Sequence, residues 1–327
     1  MTRRSSSRRT GIASWTLIAA LFAGAVLIEK ATALAPPDFS GLGPRPVGAQ
    51  SAPQSTRAQA GMRDVPAGRY PLGRNVWARD QRPAHHVDLA AFRIDRTEVT
   101  NAAFAEFLDA LGLEMSGAFG IGAIDRRHVA RRGWLLLTEG PEGGGRYPII
   151  ALDDDQSRIV FAEGRFRAAP GYENHPVAET TWAGARAYCL WRGGDLPSEA
   201  QWEAAARGQG DRLYPWGDAP PDLARAFVSG RSGVTAAVGS APAGASPFGV
   251  LDMAGSLAEW TRSLKRPYPY DPRDGRENPD LAGERVTRGG DYVYDRAADR
   301  LGVSHRDGFS NAPGRGHRHI GFRCASR

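Results

Sequence analysis

Glycine and proline recur along almost the whole of this 327-residue chain, which contains 40 glycines and 23 prolines. Together they make up about a fifth of the residues, and both interrupt regular helices and strands. Beyond Leu213, short aromatic and glycine clusters replace any long periodic pattern. The clusters are Tyr214-Pro215-Trp216-Gly217, Phe248-Gly249, Glu259-Trp260 and Gly321-Phe322. This content favours a turn-rich fold over a helical bundle.

The charge of the chain does not indicate a nucleic-acid partner. The composition is globular, with 41% hydrophobic and 24% charged residues, and the formal net charge is +6. Residues 1–35 account for +4 of this charge, since five basic residues there are opposed by one acidic residue. The remainder shows no basic stripe with interleaved aromatics, so no nucleic-acid binding is expected. The composition also excludes a wholly disordered chain and a polytopic membrane protein.

Residues 1–35 have the three parts of a signal peptide. Four arginines precede an uncharged, mostly apolar run over 12–28, and Ala33-Leu34-Ala35 provides a cleavage pattern of small residues. An uncleaved anchor through 12–28 is the alternative, and it would be the only membrane contact. Residues 36–61 predict a flexible linker. We therefore expect a domain over 62–327 outside the cytoplasm, either periplasmic or secreted.

Capping residues and apolar spacing predict three helices followed by short strands. Thr100 precedes Phe104, Phe107, Leu108 and Leu111 at helical spacing. The predicted helices begin after Thr100, Thr181 and Ser198, and they end at Gly112, Arg192 and Gly208. The predicted strands cover 65–72, 87–94 and 158–161. Such an order predicts an α+β fold with little regular secondary structure.

Several segments, in this order, resemble the formylglycine-generating enzyme (sulfatase-modifying factor) family. They are Phe92-Arg93-Ile94-Asp95-Arg96-Thr97-Glu98-Val99-Thr100, His175-Pro176-Val177, Ala187-Tyr188-Cys189-Leu190-Trp191, Leu196-Pro197-Ser198-Glu199-Ala200-Gln201-Trp202-Glu203, Tyr214-Pro215-Trp216-Gly217, Gly255-Ser256-Leu257-Ala258-Glu259-Trp260, Arg288-Gly289-Gly290 and Gly321-Phe322-Arg323-Cys324. The resemblance implies one domain with the family's C-type-lectin-like fold. The family oxidises a cysteine of sulfatases to formylglycine, relatives perform other oxidations, and others are accessory domains without catalysis.

The resemblance also shows where this chain departs from the formylglycine generators. Their two copper-binding cysteines match Tyr294 and Asp299 here. Their pocket serine and asparagine match Asp291 and His319, and an aromatic residue before the Glu-Trp pair is replaced by Ala258. Copper(I) requires soft thiolate ligands, so we do not expect copper-dependent formylglycine synthesis.

The same substitutions make residues 291–319 the candidate site of a rebuilt pocket. The candidate catalytic residues are Asp291, Tyr294, Asp299, His305 and His319. Carboxylates and imidazoles suit acid–base chemistry, iron or another divalent metal. On a strand, His317 and His319 would share one face. The alternative is a set of ordinary polar loop residues and surface histidines.

The resemblance implies one calcium site before Trp260. Its ligands would be the side chains of Asp252 and Glu259 and the backbone carbonyls of Gly255 and Leu257. Calcium accepts such a mixture of oxygen ligands. The alternative is an empty hydrogen-bonded turn.

Cys189 and Cys324 are the only two cysteines of the chain. In the resembling family these two motif positions form a disulfide, and an exported protein meets an oxidising environment. The alternative is two separate buried thiols.

Two hypotheses of function follow. The first is an exported accessory or maturation factor that binds an extracytoplasmic protein or peptide. The second is an oxidoreductase of the same family with a rebuilt, metal-dependent pocket around 291–319. The sequence leaves open whether the chain is an enzyme.

Overall fold

The computed structural model describes residues 61–76, 78–111, 149–152, 154, 156–227, 235–295, 298–310 and 316–327. The predicted leader, the predicted linker up to residue 60, and Gly112 at the predicted end of the first helix lie outside these residues. Within the described ranges no helix is both long and apolar enough to cross a membrane.

Local capping explains where the three helices begin. The Thr100 and Thr181 side chains accept hydrogen bonds from backbone N–H groups three residues later, and Ser198 forms a reciprocal capping box with Gln201. The three predicted starts are confirmed. The helices are α1 Asn101–Ala110, α2 Trp182–Trp191 and α3 Glu199–Arg207.

Among the described residues, the strands form four small sheets. The strands are β1 Met62–Val65, β2 Gly68–Leu72, β3 His85–Leu89, β4 Phe92–Asp95, β5 Ile159–Ala162, β6 Arg165–Ala168, β7 Ala258–Leu264, β8 Glu284–Arg288, β9 Arg306–Ser310, β10 Ile320–Phe322 and β11 Ala325–Ser326. The sheet orders are β1-β4-β11, β10-β7-β8-β9, β2-β3 and β5-β6. In the second sheet β10 runs parallel to β7, while the other pairs are antiparallel.

The predicted strands over 65–72 and 87–94 were wrong in extent, because each segment contains two strands. The chain leaves β1 at Pro66 and enters β2 at Gly68, and it makes a similar break between β3 and β4. β1 then pairs with β4, whereas β2 pairs with β3. Each segment thus contributes strands to two different sheets. The local sequence pattern does not show where one strand ends and the next begins.

The main core lies where α1 and α2 pack against β10. The rings of Phe104 and Tyr188 stack with centroids 5.6 Å apart, and Phe322 meets them at 5.9 and 5.5 Å. Beside this cluster Cys189 of α2 and Cys324, between β10 and β11, are joined by a disulfide with Cα atoms 5.4 Å apart. This is the pairing that the resemblance implies, and both residues are buried.

Candidate functional site

Three buried carboxylates surround one guanidinium near the turn that precedes β7. Arg323 donates to both oxygens of Glu259, at 2.6 and 2.7 Å, and its Nη2 also reaches the carbonyl oxygen of Leu251 at 2.9 Å. Glu98 accepts hydrogen bonds from the Ser256 hydroxyl and the Leu257 N–H, both at 3.0 Å. We call Glu98, Asp252, Glu259 and Arg323 the acidic cluster.

The acidic cluster contains more negative than positive side chains. Burial raises the pKa of Glu98 well above its ordinary value, and the neighbouring Asp252 and Glu259 raise it further. Burial also raises the pKa of Asp252, whereas the hydrogen bond that Asp252 accepts from the Gly239 N–H lowers it. A divalent cation at this position would offset the excess negative charge.

Backbone conformation fixes the shape of the turn. Asp252, Gly255 and Ser256 have φ angles of 57°, 75° and 60°, and such left-handed conformations favour glycine. At Gly255 a Cβ atom would lie 2.1 Å from the carbonyl oxygen of Phe227. The backbone of Gly255 lies this close to Phe227 because the next residue, Ser256, donates its N–H to the same carbonyl oxygen at 2.8 Å.

The proposed calcium ligands Asp252, Gly255, Leu257 and Glu259 lie on this turn and the first residues of β7. The carboxylate of Glu259 also accepts from the Trp202 indole N–H at 2.9 Å, so protein donors already occupy part of its lone-pair capacity. Two carboxylates and two backbone carbonyls still provide the kind of oxygen ligands that a hard cation accepts. Calcium at this turn stays a prediction.

A cavity of about 600 Å³ lies beside the second sheet. Its lining residues are Ala258, Thr287, Arg288, Gly290, Asp291, Tyr294, Asp295, Arg300, His305, Asp307, Phe309 and His319. We call it the 291–319 pocket. It brings together four of the five candidate catalytic residues, because Asp299 is not among the residues that line it. A cavity of this volume is large enough for a small molecule or a protein side chain.

The turn over 291–295 gives Asp291 a structural role. One oxygen of Asp291 accepts hydrogen bonds from the N–H groups of Val293 and Tyr294, at 2.7 and 2.6 Å. Asp295 in turn accepts from the Asp291 N–H at 3.0 Å. These contacts hold the backbone so that both carboxyl groups lie at the pocket.

The histidines of this region are kept neutral by burial. His305, His317 and His319 each have a pKa lowered to about 4, chiefly because burial disfavours the charged imidazolium. His305 is 7% exposed and His319 is 9% exposed. The alternative of surface histidines therefore does not describe His305 and His319.

His317 and His319 do not lie on a strand, so the strand geometry considered for them does not apply. They belong to a turn before β10, which is closed by a hydrogen bond from the Ile320 N–H to the His317 carbonyl at 3.0 Å. Their rings still approach to 5.5 Å, and Phe309 lies 5.0 and 5.4 Å from them. The turn thus brings both rings to one aromatic wall.

Sequence reasoning missed several residues of the pocket. Asp307 and Phe309 line it together with His305, and this alternate spacing is the period of a strand with one face toward a cavity. Arg288 lies at the pocket as part of the Arg288-Gly289-Gly290 motif. It donates to the carbonyl oxygens of Ser304 and His305 and forms an ion pair with a buried glutamate of α3.

Among the described residues, no group of three or more His, Cys, Asp or Glu side chains is arranged to hold a metal ion. Iron at the 291–319 pocket stays a prediction. The calcium prediction involves only two carboxylates and two carbonyls, and this finding does not bear on it.

The α+β architecture of the described residues, with short sheets, three helices and a pocket beside the second sheet, is the C-type-lectin-like fold of the formylglycine-generating enzyme class. The chain belongs to that family, since the model of the sulfatase-modifying factor enzyme 1-like domain matches residues 48–327.

Relatives with different activities share this domain. A formylglycine-generating enzyme of Streptomyces coelicolor is 32% identical over 299 residues, which cover 85% of this chain and 92% of the relative. A hercynine oxygenase of Mycolicibacterium smegmatis is 36% identical over 214 residues, 63% of this chain. The match covers 46% of that oxygenase, so this chain spans about half its length.

Two solved structures show the same fold. PvdO from Pseudomonas aeruginosa has a TM-score of 0.52 at 23% identity, and the match covers 81% of this chain and 93% of PvdO. Treponema denticola variable protein 1 has a TM-score of 0.53 at 21% identity, covering 81% of this chain and 94% of that protein.

Proposed function

We propose that this chain is an exported accessory or maturation factor that binds a segment of an extracytoplasmic protein in the 291–319 pocket. Two observations together support this proposal, namely the lining of the pocket and the state of the cysteines. The pocket is lined by carboxyl and imidazole groups beside aromatic rings, whereas the only two cysteines of the chain are buried in a disulfide. The domain thus keeps a place for a ligand without the thiolates that copper chemistry requires.

The first test concerns formylglycine formation. Cys189 and Cys324 are both bonded, so neither can supply a thiolate to copper. The purified protein, given Cu(I), oxygen and a sulfatase-derived cysteine peptide, is expected to produce no aldehyde by mass spectrometry. The Streptomyces coelicolor relative serves as the positive control under the same conditions. Aldehyde formation by this chain would overturn the proposal.

An oxidoreductase with a rebuilt pocket is the second candidate function. It is favoured by His305 and His319, which are more than nine-tenths buried and line the pocket. Metal analysis of the protein as purified separates the two functions. Stoichiometric iron or copper would favour the oxidoreductase, and calcium alone would favour the accessory factor.

Calcium binding is expected to stabilise the domain through the acidic cluster. A ligand that binds only the folded state raises stability by mass action. Chelation should therefore lower the melting temperature, and added Ca²⁺ should restore it. Asp252→Ala should abolish this response, whereas Asp280→Ala, at an exposed carboxylate outside the turn, should retain it. A wild-type melting curve that does not change with chelator would indicate an empty turn.

Export can be measured directly. A reporter enzyme that is active only in the periplasm, fused after residue 60, is expected to be active because residues 1–35 have the signal pattern described above. A fusion that begins at residue 36 is the matched control and should be inactive. Activity confined to a cytoplasmic reporter would contradict export.

A further inference from the structure

Among the described residues, two carboxyl groups of the 291–319 pocket form no ion pair within 4.0 Å. Asp291 is buried, Asp295 is half-buried, and both line the pocket. Neither forms an ion pair with any residue that the structure describes. Asp307 differs, because its carboxylate lies 3.7 Å both from Lys265 Nζ and from Arg300 Nη1. Burial and the neighbouring Asp291 raise the pKa of Asp295 to about 6, while Arg300 acts in the opposite direction. A cationic ligand beside the 291–295 turn would therefore stabilise the ionised form of these carboxyl groups.

Two neutral imidazoles add hydrogen-bond acceptors to the same cavity. The ring nitrogens of His305 and His319 make no hydrogen bond to any described residue. A neutral imidazole offers one N–H and one lone pair. Both side chains line the pocket, so their ring nitrogens can contribute hydrogen bonds to a ligand held in it.

Aromatic rings complete the wall between these acceptors. The centroid of the Tyr294 ring lies 5.0 Å from that of His319, and Phe309 lies 5.4 Å from it on the same wall. Tyr294 is 60% exposed, which places it at the mouth of the pocket. The Arg318 guanidinium already lies 5.9 Å from the centroid of the Tyr294 ring, so what Tyr294 and Phe309 offer a ligand is a surface that packs against methylene groups.

An anionic ligand fits this arrangement less well. Arg288 is already engaged by a buried glutamate and two carbonyl oxygens, and Arg300 lies near Asp307. A transition metal is also disfavoured, because no group of three ligating side chains is arranged to hold one among the described residues.

We infer that the 291–319 pocket binds a primary ammonium group on an aliphatic chain, as in a lysine side chain of a partner peptide. Its three N–H donors match the carboxyl and imidazole acceptors, and its methylenes would contact Tyr294 and Phe309. This inference rests on the proposed function, since it names the chemical group that the accessory factor would recognise.

Peptide binding to the full chain tests the inference by calorimetry. A capped pentapeptide with one central lysine is expected to bind at least about tenfold more tightly than the same peptide with Nε-acetyl-lysine or norleucine. Butylammonium distinguishes the source of the group. If butylammonium binds as tightly as the lysine peptide, the natural ligand is a free amine. If the lysine peptide binds more tightly than butylammonium, the natural ligand is a protein segment.

Variants place the binding in this pocket. Asp295→Asn keeps an oxygen that can accept from the Asp291 N–H, and it is expected to weaken lysine-peptide binding by about tenfold or more. Asp280→Asn removes the same charge at an exposed position outside the pocket, and it should bind as the wild type does.

Equal affinity for the lysine and acetyl-lysine peptides, or no binding of the lysine peptide, would overturn the inference. If the lysine inference fails in this way but the purified protein contains no metal and forms no aldehyde, the proposed accessory role is not contradicted. Lysine-peptide binding by a protein that carries stoichiometric iron would instead retain the ammonium ligand and contradict the accessory role.

Discussion

Replacing Cys189 and Cys324 together by alanine is expected to lower the free energy of unfolding by about 4–5 kcal/mol. The bond joins residues separated by 135 positions, and a cross-link over so long a loop removes much of the entropy of the unfolded chain. A loss of this size is comparable with the total stability of many domains. The double variant is expected to be largely unfolded at physiological temperature.

Urea denaturation of the oxidised wild type, the reduced wild type and the double variant measures this effect. The double substitution avoids leaving a single reactive thiol. The reduced wild type is the matched control, because it lacks the bond but keeps both side chains. We expect it to resemble the double variant closely. Two titratable thiols in the unreduced, denatured wild type would contradict the pairing.

Arg323→Met is expected to cost about 3–5 kcal/mol of folding free energy at neutral pH, because removing one partner of a buried ion pair leaves an uncompensated charge. Arg323 is fully buried and is bonded to both oxygens of Glu259. It is also the guanidinium that opposes the raised pKa of Glu98. The variant therefore removes the guanidinium that is bonded to Glu259 and leaves Arg96 as a cation that acts on Asp252.

The cost of Arg323→Met should decrease as the pH falls. A carboxyl group whose pKa is raised in the folded state binds its proton more tightly there than in the unfolded chain, so protonation favours folding. Glu98 and Asp252 already have raised pKa values in the wild type, and loss of Arg323 raises them further. Chemical denaturation in chelator from pH 7 down to pH 5 should show the variant approaching the wild type.

Arg285→Met is the matched control for this pH dependence. Arg285 is also fully buried, but it donates to carbonyl oxygens and stacks on Trp182. It forms no ion pair with a described residue, so its removal frees no carboxylate. A cost that stays constant with pH for both variants would contradict the electrostatic account of the acidic cluster.

The helices could be predicted from the sequence because their signals are local. The side chains of Thr100, Thr181 and Ser198 meet backbone N–H groups within three residues, so a short window of sequence contains the interaction. The strands could not be predicted in the same way. β4 pairs with β1 on one side and with β11 on the other, and the residues of β11 lie more than two hundred positions away.

The candidate site was predictable where substitutions in a motif marked it, and less so elsewhere. The positions of Asp291, Tyr294 and His319 follow from the resemblance, and the structure places all three at one pocket. Their chemistry depends on burial and on neighbours such as Phe309, which a linear sequence does not give. Arg323 belongs to the Gly321-Phe322-Arg323-Cys324 motif, but the sequence alone does not show that it pairs with Glu259.

The last described residues complete both of the larger sheets. β10 joins the sheet of β7 to β9, and within a few residues β11 joins the sheet of β1 and β4. Neither sheet can form fully until residues 320–326 have been synthesised, so the domain has a high contact order and should fold slowly and late. A premature stop codon near residue 319 would therefore remove a strand from both sheets and affect the assembly of the whole domain.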